Sequence, residues 1–109
     1  MAVLVTAQIT TNGILFGALS PATAGGDKIN FNDRTFLIVK NADTVPHTVT
    51  LVTPGTVAGL AIADKPVVVA TGTTAFIGPF GSVFVDPTDS TVNLTYDAVL
   101  SVTVGAFTL

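Results

Sequence analysis

The sequence predicts an all-β fold, and three observations carry that expectation. Only 10% of the 109 residues are charged, all seven acids are Asp, and Thr fills the positions between Val, Ile and Phe. β-Branched and aromatic side chains suit a pleated, half-buried surface, while Asp, Asn, Gly and Pro punctuate it with turns. No stretch keeps a 3.6-residue apolar period over ten or more positions, so helix content should be small. The expected architecture is a single-domain β-sandwich or jelly-roll-like barrel of about seven to nine short antiparallel strands, with an N-terminal arm. Residues 1–30 read as the arm with a possible first strand, and residues 31–109 as the sandwich.

Taken in order, Ile14 to Leu19 is an apolar run that could serve as a first strand, and Ser20-Pro21-Ala22-Thr23-Ala24-Gly25-Gly26 is small and turn-rich. The arm is therefore expected to order against a partner. Arg34 to Asn41 contains the unbroken run Phe36-Leu37-Ile38-Val39, which predicts a central strand buried on both faces. His47 to Thr53 alternates, with Val49 and Leu51 on one face, and Ala42 to Pro46 suggests a hairpin between these two runs. Thr56 to Asp64 has low β-propensity and reads as a connection. Val67 to Val69 and Thr73 to Ile77 flank Thr71-Gly72 as a second expected hairpin. A short Val83-Phe84-Val85 segment precedes the turn cluster Asp86-Pro87-Thr88-Asp89.

The cleanest alternation is Thr91 to Tyr96, which places Val92, Leu94 and Tyr96 toward a core. The last run, Ser101 to Leu109, puts Val102, Val104 and Ala106 on one face. Phe107 and Leu109 fall on the face of Ser101 and Thr103, which suggests that a subunit or host surface covers them.

Composition narrows the function classes. The chain has no cysteine, so its stability rests on packing and hydrogen bonds rather than on disulfides or thiolate metal sites. Hydrophobic residues make up 49% of it, and the mean hydropathy of +0.71 favours an assembly component over a free-standing monomer. The net charge is −3, and the four cations, Lys28, Arg34, Lys40 and Lys65, are scattered, which argues against nucleic-acid binding. Met1 to Leu19 has no basic leader and is interrupted by Gln8, Thr10, Thr11, Asn12 and Gly13. It reads as neither a signal peptide nor a membrane span, so synthesis in the cytoplasm without export is expected.

Candidate chemistry is sparse. His47 is the single imidazole, and no adjacent nucleophile or acid completes a catalytic set, so a structural role is favoured. Ser82, Ser90 and Ser101 lack a nucleophile-elbow context. Asp86, Asp89 and Asp97 could offer oxygens to calcium, but turn formation accounts for Asp-Pro-Thr-Asp more simply. Asp27 and Asp33, beside Lys28 and Arg34, read as local ion pairs or turn formers. Gly25-Gly26 and Gly78-Pro79-Phe80-Gly81 lack a phosphate-loop context and read as turns. Phe76, Phe80 and Phe84 could form an exposed aromatic platform for sugar or single-stranded nucleic acid, against the simpler reading of core or interface packing. No catalytic residue, cofactor, metal or small-molecule substrate is expected. Interface residues are expected at Ile14, Leu15, Phe16, Phe80, Phe84, Phe107 and Leu109.

From Gly26 onward the chain resembles a family of small β-rich proteins encoded among the virion structural genes of tailed bacteriophages. The residues that carry the resemblance are Asn32-Asp33-Arg34-Thr35-Phe36-Leu37-Ile38-Val39-Lys40-Asn41, His47-Thr48-Val49-Thr50-Leu51-Val52-Thr53-Pro54, Ile77-Gly78-Pro79-Phe80 and Val102-Thr103-Val104-Gly105-Ala106. The resemblance implies a head decoration, or cement, protein on the capsid exterior: a homotrimer that bridges major capsid proteins and stabilises the shell. A tail or head-fibre component, or a carbohydrate- or receptor-binding module, is the alternative.

Overall fold

Repeated crossing between two sheets organises this chain. The computed structural model describes residues 2–13 and 19–109, so Ile14, Leu15 and Phe16 lie outside the described residues. Thirteen strands occur among those described: β1 (Ala2–Leu4), β2 (Thr6–Gln8), β3 (Ser20–Pro21), β4 (Asp27–Asn30), β5 (Thr35–Asn41), β6 (His47–Leu51), β7 (Thr56–Val57), β8 (Leu60–Ala61), β9 (Lys65–Val69), β10 (Thr74–Ile77), β11 (Val85–Asp86), β12 (Thr91–Tyr96) and β13 (Val102–Thr108). The first sheet has the order β1-β4-β12-β6-β9, with β11 also on β12. The second has the order β10-β5-β13-β2, with β3 also on β13. They form a β-sandwich, and a separate hairpin, β7-β8, stands outside both sheets.

The strand count exceeds the expected seven to nine because β3, β7, β8 and β11 are two-residue pairings, too short to leave an alternation in the sequence. Pairing is also mixed rather than purely antiparallel. β1 runs parallel to β4, and β2 runs parallel to β13. One extended segment, residues 2–8, thus serves one edge of each sheet and changes sheet at Val5. Leu4 belongs to the core, and β4 is an interior strand whose Ile29 is fully buried. Residues 27–30, placed with the arm by composition, are therefore built into the sandwich.

Neither expected hairpin forms. β5 lies in the second sheet and β6 in the first, so Ala42 to Pro46 is an arch between sheets. β9 and β10 are split in the same way. The two arches run side by side, because β6 pairs with β9 while β5 pairs with β10. Asn41, fully buried, ties them together. Its Nδ2 donates to the Val45 and Val69 carbonyls at 2.9 and 3.0 Å, its Oδ1 accepts from the Asp43 N–H at 2.9 Å, and its own N–H donates to the Thr73 carbonyl at 3.0 Å. A turn signal in sequence marks a reversal, but not whether the returning strand pairs with the one before it.

The core follows the alternation. Ile29, Leu37, Val39, Val49, Leu51, Val69, Val92, Leu94, Val102 and Val104 fill the space between the sheets, joined by Ile77, Phe80 and Ala106. Tyr96 is partly buried against this cluster, as the Thr91 to Tyr96 pattern predicts. β5 is central to its sheet, and Ile38 on its outer side is only 4% exposed, so the strand is buried on both faces as expected. Phe107 is also on that outer side and is 3% exposed, its ring 6.1 Å from that of Phe36. Burial of Phe107 thus occurs within the chain, without a covering subunit. Gly105 makes this packing possible: a Cβ there would lie 2.6 Å from the Leu19 side chain and 2.8 Å from the Phe107 ring.

Leu94 pairs with β4 and with β6 in the middle of the first sheet and is fully buried. Leu94→Ala should lower unfolding free energy by about 2–5 kcal/mol, through lost apolar burial and the cavity left behind. Chemical denaturation checks this, and a loss below about 1 kcal/mol would contradict the central placement of this side chain.

Candidate interaction surface

His47 and most of the Asp side chains are engaged in holding the fold together. His47 starts β6 and is 5% exposed. Its Nε2 lies 2.8 Å from Asp43 Oδ2, on the arch from β5, and its Nδ1 lies 3.1 Å from Asp97 Oδ1, at the end of β12. Two carboxylates face the two ring nitrogens, so both nitrogens must carry protons to donate to them: the geometry selects the imidazolium. The Asp43 hydrogen bond raises the His47 pKa above its ordinary 6.5, against the opposing effect of burial and with help from Asp97. The same bond holds Asp43 below the usual carboxylate range. Burial pulls Asp97 upward, yet backbone hydrogen bonding and His47 leave it net lowered. With both nitrogens engaged, His47 keeps no lone pair for a metal or a substrate proton.

Asp86, Asp89 and Asp27 are similarly engaged. Asp86 Oδ1 accepts from the Thr88 N–H and hydroxyl at 3.0 and 2.7 Å, which is the turn role expected for Asp-Pro-Thr-Asp. Asp89 accepts from the Thr91 hydroxyl at 2.6 Å and from Lys28 Nζ at 2.8 Å. Lys28 therefore pairs across the sheet with Asp89 and not with its neighbour Asp27. Asp27 is fully buried and accepts the Tyr96 hydroxyl at 2.7 Å and the Thr23 N–H at 3.2 Å. Burial, and then the Asp27 carboxylate, raise the pKa of Tyr96, so it remains a donor. Among the described residues, no group of three or more His, Cys, Asp or Glu side chains is arranged to hold a metal ion.

The three phenylalanines proposed as a platform do not share a surface. Phe80 is in the core at 6% exposure, Phe84 is half-buried against the core, and Phe76 is on the outer side of the second sheet, where it stacks on Phe36 at 6.3 Å between ring centres. Alternation along β10 separates Phe76 from Ile77, and the segment 78–81 then carries Phe80 inward. Of the expected interface residues, Phe80 and Phe107 are buried within the chain, Phe84 is half-buried, and Leu109 is 64% exposed.

Exposed apolar side chains are spread over the surface, among them Val5, Val68 and Leu100, and two apolar features stand out. Phe36, Phe76, Ile77, Gly78, Pro79 and Leu109 line a groove of about 410 Å³, with Asp33 and Arg34 at its side. Gly78 lets the chain pass close to β5: at φ +136 it sits where a Cβ would be 2.9 Å from the Cβ of Phe36. The second feature was missed by sequence reading. β7 and β8 form a two-residue hairpin in which Ala58 and Gly59 both have positive φ, 52° and 79°, the geometry of a type I′ turn. Val57 and Leu60 face each other across it and are 66% and 72% exposed. The base is clamped by Thr53, whose N–H donates to Asp64 Oδ1 at 2.9 Å and whose hydroxyl is 2.7 Å from the Ile62 carbonyl. The signal in the sequence was Ala-Gly between Val57 and Leu60, weaker than the Asn-Gly that marks such turns most strongly.

Comparison with protein-family models, with curated proteins and with solved structures gives no match. The functional reading therefore rests on the residues themselves.

The His47 cluster sets a pH response. Stability from the protonated ring is fully present below its ordinary pKa of 6.5 and is lost as pH rises through the raised folded value. Stability from Asp43 and Asp97 is present above the ordinary 3.8 and is lost as pH falls through their lowered folded values. Melting temperature should therefore peak between these limits. His47→Gln should lower that peak and flatten the decline on its alkaline side. Parallel alkaline limbs for the two proteins would show that His47 does not carry the effect.

Breaking the buried acid pair should be costly in a different way. Tyr96→Phe leaves the Asp27 carboxylate without its hydroxyl donor and should destabilise by about 1–3 kcal/mol, read by denaturant titration. An unchanged midpoint would mean that this hydrogen bond contributes nothing net.

Proposed function

We propose that this chain is a virion structural protein, a head decoration or cement subunit on the exterior of a tailed-bacteriophage capsid. In this reading it forms a homotrimer, bridges major capsid proteins and raises the resistance of the shell to internal pressure. The observation that carries the reading is the pairing of two apolar surface features, the Val57/Leu60 hairpin and the Phe36/Pro79/Leu109 groove, on a body with few charges. Exposed apolar patches of this kind mark surfaces that other proteins cover.

Further support comes from the way the titratable groups are used. His47, Asp43, Asp86, Asp89 and Asp97 hold turns and arches in place, which suits a mechanical role. The resemblance to tailed-phage virion proteins expected from residues 26–109 supports the virion location in this reading. Two sheets packed within overall dimensions of 43 × 34 × 19 Å give a flat body that could lie across a junction between capsid subunits.

Co-sedimentation with capsids lacking the protein tests the proposal. Saturable binding at discrete sites, with a rise in the melting temperature of the shell, is expected. Replacing Val57 and Leu60 by Asp should reduce shell affinity by at least tenfold while the protein stays folded. A folded wild-type chain that fails to bind shells at any concentration would overturn the reading.

A further inference from the structure

We infer that Asn12 is a site of spontaneous covalent modification, converting through a cyclic imide to a mixture of isoaspartate and aspartate. The inference does not rest on the proposed function. Asn12-Gly13 is the single Asn-Gly or Asp-Gly pair in the chain. Glycine has no Cβ, so its backbone nitrogen is open to approach from the preceding side chain. The pair closes a turn that leaves β2: the Ile9 N–H donates to the Thr108 carbonyl at 2.8 Å, and the Gly13 N–H donates to the Thr10 carbonyl at 3.0 Å. Thr10, Thr11, Asn12 and Gly13 are all exposed. The Asn12 backbone N–H donates to Thr10 Oγ1 at 3.3 Å, while its carboxamide has no hydrogen-bond partner among the described residues. A Cβ at Gly13 would meet nothing within 4 Å, so the space beside the nitrogen is open.

The reaction needs water and no other reagent. Hydroxide takes the proton from the Gly13 nitrogen, which attacks Asn12 Cγ and closes a succinimide ring. The carboxamide nitrogen leaves as ammonia, gaining its proton from water. A second water then opens the ring. Attack at the former side-chain carbonyl gives aspartate, and attack at the backbone carbonyl gives isoaspartate, whose main chain runs through Cβ. The hydrogen bond from Gly13 to Thr10 has to open first, which costs little in an exposed turn.

The other asparagines are held away from this chemistry. Asn41 is fully buried, with both ends of its carboxamide hydrogen bonded. Asn30 and Asn93 lie in the paired strands β4 and β12 and precede Phe31 and Leu94, whose side chains hinder the nitrogen. Asn32 Oδ1 accepts from the Arg34 N–H at 3.0 Å, and its successor is Asp33. Conversion at Asn12 changes the surface where it occurs. Residues 1–26 contain no charged side chain, so the product is the first in this stretch and adds one negative charge to the net −3. Isoaspartate also lengthens the main chain at the exit from β2, the strand that edges the second sheet beside β13.

Peptide mapping of the purified chain tests this. Trypsin releases residues 1–28 as one peptide in which Asn12 is the single asparagine. After warm incubation of the folded protein, that peptide should show the mass change of NH2 to OH, faster in mildly alkaline than in mildly acidic buffer. Conversion there should be at least about tenfold faster than at any other asparagine, because no other has glycine after it. Labelling by an isoaspartyl methyltransferase should find isoaspartate in the product. Asn12→Gln should remove both signals, and the wild-type readouts decide by themselves if that variant does not fold. An unaltered peptide, equal conversion at another asparagine, aspartate without isoaspartate, or a rate indifferent to pH would each overturn the inference.

Discussion

The arrangement depends on a buried side-chain amide. Asn41 ends the central strand of the second sheet at the point where the chain leaves for the first, and its carboxamide joins that arch to the neighbouring one at β9. Crossing between sheets leaves backbone groups at each corner without a ladder partner, and buried groups of that kind are costly unless something pairs with them. Asn suits the position because it offers two donors and an acceptor on a short side chain. An apolar residue of similar size would pack there, but it would leave the Val45 and Val69 carbonyls without that donor.

The same logic explains how a chain with so few charges uses them. The imidazolium of His47 bridges the arch after β5 and the end of β12, two places that the ladders do not connect directly. Asp27 is sealed below the surface with the Tyr96 hydroxyl, and Lys28 reaches Asp89 on the turn before β12. The His47–Asp97, Tyr96–Asp27 and Lys28–Asp89 interactions join segments distant in sequence, so these polar groups help specify which strands come together. Surface ion pairs contribute little net stability, whereas a buried carboxylate or imidazolium is destabilising in any arrangement that removes its partner.

Much of the surface is apolar. The outer side of the second sheet carries Ile38 and Phe107 as buried residues, packed with Phe36 and Leu19, so this face resembles a second, thinner core. The groove opens where that layer ends. The hairpin departs from the same end of the body, because β6 runs toward it and β9 runs back, and Thr53 fixes its exit. Binding surfaces of this type favour rigid, preformed elements, since every residue ordered on association weakens the complex.

By itself the sequence determined the β class, the strands His47 to Leu51 and Thr91 to Tyr96, and the burial of Phe36 to Val39 on both faces. These are properties of local period and composition, and a period of two states which side of a strand is apolar wherever that strand goes. Only the tertiary structure decided that β5 and β6 belong to different sheets, that residues 2–8 edge both of them, and that Phe80 turns inward while Leu109 stays out. It also decided that His47 stands between Asp43 and Asp97, residues four and fifty positions away. Pairing partners and buried ion contacts depend on which distant segments meet, and no periodicity within a single segment records that.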